Sequence, residues 1–151
     1  MSESLSLGKN SVEVGFEMIV SAEEFVRLRN SEVADEYSRA SEDTAPAKVW
    51  FDVIYRFPEM REWVVHNRTV PIKVLDLLAR DDASSVRATV ADKRKLSSEL
   101  FELLARDNDE LVRLRVAYNK KAPMHVLERL LMDSSALVHA AAAKRLGKAG
   151  A

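Results

Sequence analysis

From Val49 onward the apolar residues fall in short bursts at spacings of three and four, the period of a helix with one buried face, and polar breaks separate the bursts. The bursts predict helices over residues 46–56, 58–66, 71–80, 84–92, 97–106, 110–118, 123–132 and 136–146. Pro46, Pro58, Pro71 and Pro123 each stand just ahead of a burst, where a helix loses nothing by a missing amide hydrogen; Ser97 takes the same place ahead of another. The helices come in pairs, and the link inside each pair is too short for anything but an antiparallel neighbour.

The pattern recurs at a longer period. LLARDDASSVRATVADKRK (Leu77 to Lys95) and LLARDNDELVRLRVAYNKK (Leu103 to Lys121) are offset by 26 residues, and Pro71 and Pro123 by 52. In this register Leu75, Phe101 and Leu127 align, as do Leu78, Leu104 and Leu130; Asp81, Asp107 and Asp133; Val86, Val112 and Val138; Arg87, Arg113 and His139; Ala91, Ala117 and Ala143. VWFDVIYRFPEMREWVVHN, Val49 to Asn67, is a degenerate earlier copy that is one residue shorter in its middle and supplies Trp50, Val53, Met60, Arg61 and Val65. One helical pair cannot bury its own apolar face, so the copies must stack. The predicted fold is all-α: an α-solenoid of about four two-helix repeats, right-handed, covering residues 46–151.

Ahead of the repeats, residues 1–45 read as an N-terminal segment and small helical cap, the whole forming one compact domain. SVEVGFEMIV alternates Val12, Val14, Phe16 and Met18, which predicts a short extended segment. SAEEFVRLRN opens with a capping box, Ser21 and Glu24, and sets Phe25 and Leu28 on one face. A second small helix is expected from Glu32 to Ala40.

The phrase VR-x-x-VA-x-N/K, followed by a proline or serine helix start and L-x-x-LA-x-D, resembles the leucine-rich repeat variant and the similar short HEAT-type repeats, from Pro46 to Leu146. The resemblance implies a helical superhelix that usually binds other macromolecules, with no activity common to its members and an aspartate and arginine ladder between units. The last copy departs from it at His139 and in the alanine-rich HAAAAKRL. The first departs at Tyr55 and Arg56, where the aspartate belongs.

Composition narrows the picture. Glycine occurs only at positions 8, 15, 147 and 150, which leaves few means of turning a sheet, and Ala, Leu, Glu, Arg and Lys abound. With no cysteine there are no disulfides and no thiolate sites; with no long apolar run there is no membrane span, and a cytoplasmic location is expected. The net charge of −1 conceals an asymmetry: residues 1–45 hold ten acids and four bases, the remainder fourteen acids and nineteen bases. Such polarity orients a partner or draws two halves together, and is also compatible with ordinary surface charge.

Three constellations are candidates for function. The most regular is an aspartate followed six residues later by an arginine, Asp81 with Arg87 and Asp107 with Arg113. Helical geometry points Arg87 between Val90 and Ala91, into the layer between helices, where a charge needs a partner. The preceding turn's aspartate, free also to cap the second helix, is the nearest candidate, so the pairs read as a structural ladder in preference to a phosphate site. The second is the outward face of the second helices, where Trp63, His66, Leu111, Leu114, Arg115, Tyr118 and Leu137 have the aromatic and arginine composition of binding hot spots. Coverage by the N-terminal segment or by the curvature of the solenoid is the competing explanation. The third is a basic ridge in the loops that leave those helices: Arg68, then Lys93, Arg94 and Lys95, then Lys120 and Lys121, then Lys144, Arg145 and Lys148. It suits a nucleic-acid backbone or an acidic protein, although cations at helix C-termini are favoured by the dipole alone, and the pI near 6.3 argues against a dedicated nucleic-acid binder.

Catalytic chemistry finds no footing. His66, His125 and His139 have no metal-ligand spacing, and the Walker loop, the nucleophile elbow and the dinucleotide fingerprint all need glycines where none stand. No metal, cofactor or enzymatic activity is expected. The expected function is a non-catalytic protein-binding module, an immunity-type inhibitor of a bacterial toxin being one narrower form; nucleic-acid binding through the ridge is the alternative. The oligomeric state stays open.

Overall fold

The computed structural model describes residues 18–147. The alternating positions Val12, Val14 and Phe16 lie outside them. Met18, at the end of that stretch, forms an isolated parallel bridge with Thr44, and the Ile19 amide donates to the Thr44 carbonyl at 2.8 Å. Regular structure among the described residues is otherwise helical: α1 (Ala22–Arg29), α2 (Ala34–Glu42), α3 (Ala47–Arg56), a 3-10 turn (Pro58–Met60), α4 (Arg61–His66), α5 (Ile72–Leu78), α6 (Ser84–Ala91), α7 (Ser98–Ala105), α8 (Glu110–Tyr118), α9 (Met124–Leu130) and α10 (Ala136–Arg145).

The helix starts follow from local chemistry. At α1 the Ser21 hydroxyl accepts from the Glu24 amide at 3.0 Å while the Glu24 carboxylate accepts from the Val20 amide at 2.8 Å, a reciprocal cap that satisfies two free donors. Pro46 and Pro123 are N-caps of α3 and α9, and Ser97 caps α7 by accepting from the Leu100 amide at 3.1 Å. Helix α2 begins at Ala34, two residues later than the apolar pattern suggests. The Ser31 hydroxyl accepts from the Val33 amide at 3.0 Å, and this serine turn holds residues 31–33 out of the helix. At the other end of the chain Gly147 takes the left-handed φ of 74°, which closes α10.

The chain falls into two compact units, Met1–Pro71 and Ile72–Ala151. In the first, α1 packs on α2 and α3 on α4, and the pairs stack first helix on first and second on second. Their core holds Ile19, Phe25, Leu28, Trp50, Val53, Ile54, Val64 and Val65, with Phe25 edge-on to Trp50 at 5.3 Å between ring centres. The helices ahead of the repeats thus pair and stack as a hairpin does.

The second unit holds α5/α6, α7/α8 and α9/α10. Second helices stack on each other in the order α6, α8, α10, and α7 stacks on α9. The 26-residue period is legible in this core. Leu75, Phe101 and Leu127 are buried, as are Leu78, Leu104 and Leu130, Val86, Val112 and Val138, and Ala91, Ala117 and Ala143. Each large aliphatic side chain so placed contributes roughly 1.5–3 kcal/mol, and the alanine column lets the second helices approach closely.

Candidate functional site

The polar ladder joins different partners from those the six-residue spacing suggests. Arg87 donates through Nε and Nη2 to the two carboxylate oxygens of Asp107, at 2.7 and 3.1 Å, and Arg113 does the same to Asp133 at 2.8 and 3.1 Å. Each arginine therefore takes the carboxylate of the following hairpin. It does meet the preceding turn, but at the main chain: Arg87 Nη1 donates to the carbonyls of Asp81 and Asp82 at 2.7 and 3.1 Å, and Arg113 Nη1 to that of Asp107 at 2.8 Å. Asp107 Oδ1 also accepts from the Asp109 amide at 2.9 Å and Asp133 Oδ1 from the Ser135 amide at 2.8 Å, so the same carboxylate both shapes its turn and receives the previous hairpin's arginine.

Charge responds accordingly. The Asp107 carboxylate, bonded and close, raises the Arg87 pKa, and Asp133 does so for Arg113. At Asp133 burial works upward, but the Arg113 guanidinium and the Ser135 amide outweigh it and hold the carboxyl below its ordinary value.

A second ladder accompanies the first. Asn119, 6% exposed, donates its side-chain amide to the carbonyls of Ala91 and Lys93, both at 2.7 Å, and accepts from the Lys121 amide at 2.8 Å. Asn67 likewise donates to Ala40 and Asp43, at 2.8 and 3.0 Å, and accepts from the Thr69 amide at 2.7 Å. One register on from Asn119, Arg145 Nη1 donates to the carbonyls of Ala117 and Asn119, at 2.9 and 2.6 Å. These side chains close the carbonyl end of the preceding second helix, whose last C=O groups have no partner within the helix. Arg145, grouped with the basic ridge on sequence, is thereby committed to the scaffold.

On the other side of the same helices the chain exposes apolar surface. Helix α8 buries Val112, Val116 and Ala117, yet Leu111 and Tyr118 on its outward side are 58% and 60% exposed and Leu114 is half-buried. Leu137 on α10, one period after Leu111, is also exposed. Arg115, on the same outward side, is tied to Asp92 at the end of α6. Nearby, Arg94, Lys95, Lys120, Lys121 and Lys144 stand exposed where α6, α8 and α10 end, with no carboxylate against them among the described residues.

In the first unit, Trp63 and His66 lie one turn apart on α4 with ring centres 5.1 Å apart. Two residues not anticipated from sequence join them. The Arg29 guanidinium, from the end of α1, lies 3.4 Å from the centre of the Trp63 ring, and Tyr37 of α2 stands 4.8 Å from the same guanidinium. Arg68, whose Nη1 is 3.8 Å from Glu42, and Ser41 complete the walls of a groove of about 310 Å3. Arg29 Nε is buried without a hydrogen-bond partner, an omission that costs about 1–3 kcal/mol for a buried donor.

No family model, curated protein or solved structure matches this chain.

The remaining histidines are bonded locally: His125 Nε2 is 2.8 Å from Glu102, and His139 Nδ1 is 2.7 Å from the Leu131 carbonyl. Among the described residues no three His, Asp or Glu side chains converge as a metal site, and no helix is long and apolar enough to cross a membrane. Two features stand out, the exposed apolar outward side of α8 and the Arg29 groove. They belong to different units, and each is complete within its own.

Proposed function

We propose that this chain is a non-catalytic protein-binding module, a cytoplasmic α-solenoid of about four two-helix repeats of the leucine-rich-variant or short HEAT kind, whose partner docks on the outward side of α8. The observation that carries the reading is that α8 is apolar on both sides. Val112, Val116 and Ala117 face the core while Leu111, Leu114 and Tyr118 do not. An isolated exposed leucine needs no explanation, but two leucines and a tyrosine on about two turns of one helix, with Leu137 at the next period, make a contact patch in which a buried aromatic anchor is worth about 2 kcal/mol or more to a partner. Trp63 and His66 supply a second aromatic contact in the same reading. An immunity-type inhibitor of a toxin is the narrower form of this function.

The test is capture of one protein from cells of the source, identified by mass spectrometry, with the wild-type chain, Tyr118→Ala, Leu111→Lys and Trp63→Ala. Loss of the same partner with unchanged helicity supports the assignment, and retention in the first two variants refutes it. The five exposed cations at 94, 95, 120, 121 and 144, with no carboxylate against them among the described residues, favour a second reading, binding of a nucleic-acid backbone. That reading displaces the first if generic DNA binds at micromolar concentration in physiological salt, weakens steeply as salt rises, and requires Arg94, Lys95, Lys120 and Lys121.

A further inference from the structure

The Arg29 groove has a feature that packing alone does not explain. A guanidinium offers five N–H donors in one plane and two faces. In Arg29 one face is closed by Trp63, since 3.4 Å from carbon to ring centre leaves no space between them, and Tyr37 lies against the same group at 4.8 Å. No hydrogen bond or ion pair reaches the guanidinium among the described residues, and Nε, beneath the surface, has no acceptor. The contrast with the rest of the chain is informative. Arg87 and Arg113 each hold a carboxylate in a two-pronged grip, and Arg27, two residues before Arg29 in the last turn of α1, holds Glu36 at 3.1 Å. Arg29 alone of these keeps its fork unused, and it keeps it in a groove.

We propose that the Arg29 groove is a binding site for a carboxylate, gripped end-on by the two Nη groups. The end-on pair follows from geometry: the alternative fork needs Nε, which is out of reach. Trp63 and Tyr37 hold the guanidinium in place and so reduce the ordering that binding demands. Arg68 adds a second cation at the rim, held only loosely by exposed Glu42 at 3.8 Å. Glu42 also sets the ligand's charge. A carboxylate carries one negative charge past that rim, whereas a phosphate near neutral pH carries close to two and meets correspondingly more repulsion. A groove of about 310 Å3 accommodates a side chain the size of glutamate. The carboxylate is supplied either by an acidic side chain of a protein partner, in which case the inference rests on the protein-binding reading for its source, or by a free small acid.

The test uses the purified full chain. N-acetylglutamate α-amide, glutarate, a hexaglutamate peptide, inorganic phosphate and neutral N-acetylglutamine amide are titrated at constant ionic strength. The readout is the indole N–H resonance of Trp63, distinguished from that of buried Trp50 by the Trp63→Phe variant. The carboxylates give a saturable shift with a Kd on the order of 1–10 mM, and the neutral amide gives none. Arg29→Lys, which keeps the charge and loses the fork, weakens binding about fivefold or more, and Arg29→Gln about tenfold or more. If Arg29→Gln does not fold by circular dichroism, Arg29→Lys decides. Tighter binding of the peptide than of glutarate assigns the source to a protein segment, and equal binding assigns it to a free acid. The proposal is overturned by no saturable shift at about 50 mM carboxylate, by an equal response to the neutral amide, by undiminished binding in Arg29→Lys, or by phosphate binding tighter than every carboxylate. Because no partner is present, failed capture at the α8 surface leaves this result intact, and a failed titration leaves that surface untouched.

Discussion

The direction of the arginine ladder can be measured. Replacing Arg113 with Met keeps most of its length and removes two charge-assisted bonds to Asp133, at 2.8 and 3.1 Å, and one to the Asp107 carbonyl at 2.8 Å. The Asp133 side chain is only 7% exposed, so the change strands a desolvated carboxylate that retains the Ser135 amide as a donor. Removing one partner of a fully buried pair costs about 3–5 kcal/mol, and exposed pairs count for about 0–1 kcal/mol. This pair is near the surface, and a loss of about 2–3 kcal/mol is expected. Part of that loss is the severed carbonyl bond, which a single substitution cannot separate from the pair itself. A double-mutant cycle with Asp133→Asn, read by urea denaturation, isolates the pair and should give a coupling of about 1.5–2 kcal/mol. The cycle of Arg113→Met with Asp107→Asn should give less than about 0.5 kcal/mol, because Arg113 touches Asp107 at its carbonyl and the Asp107 carboxylate serves Arg87. A stronger coupling to Asp107 than to Asp133 would refute the arrangement.

Three further outcomes follow from the same contacts. Asn119→Ala leaves two carbonyls and one amide without partners and should lower the unfolding free energy by about 2–4 kcal/mol, a fall in Tm of roughly 5–15 °C by calorimetry. Asn119→Asp places a carboxylate against those carbonyls; it should be worse than alanine at pH 7 and recover toward pH 4, as protonation restores a donor, in urea midpoints taken across that range. Asp133 in the wild type has its folded pKa below the ordinary 3.8, so its contribution is fully present above that value and is lost as pH falls through the folded pKa. Below about pH 4 the wild type should therefore lose stability more steeply than Asp133→Asn, and parallel acid profiles would contradict the pairing.

The periodic core was readable because burial imposes the same demand at every repeat: each residue of the Leu75, Leu78, Val86 and Ala91 columns is buried. Helical geometry also pointed Arg87 inward. It could not choose between two aspartates, one in its own hairpin and one in the next, because that choice depends on how hairpins stack. The asparagine clamp left a usable trace, since Asn67 and Asn119 are 52 residues apart, the separation of Pro71 and Pro123, with Arg145 a further 26 along. Only the bonds identify it as a helix closure. The Arg29 groove left no such trace. It gathers positions 29, 37 and 63 from three helices, and α1 and α2 carry no 26-residue register against which an unusual arginine would stand out.

On the proposed reading, repeated positions hold the chain together while the differing outward positions meet a partner. Paired measurement of Tm and partner capture across Val112→Ala, Asn119→Ala, Leu111→Lys and Tyr118→Ala tests it most directly. The first two should lower Tm by several degrees, and the last two should leave Tm within about 2 °C of wild type while abolishing capture. Outward substitutions that destabilise the chain as much as the inward ones, with capture retained, would contradict it.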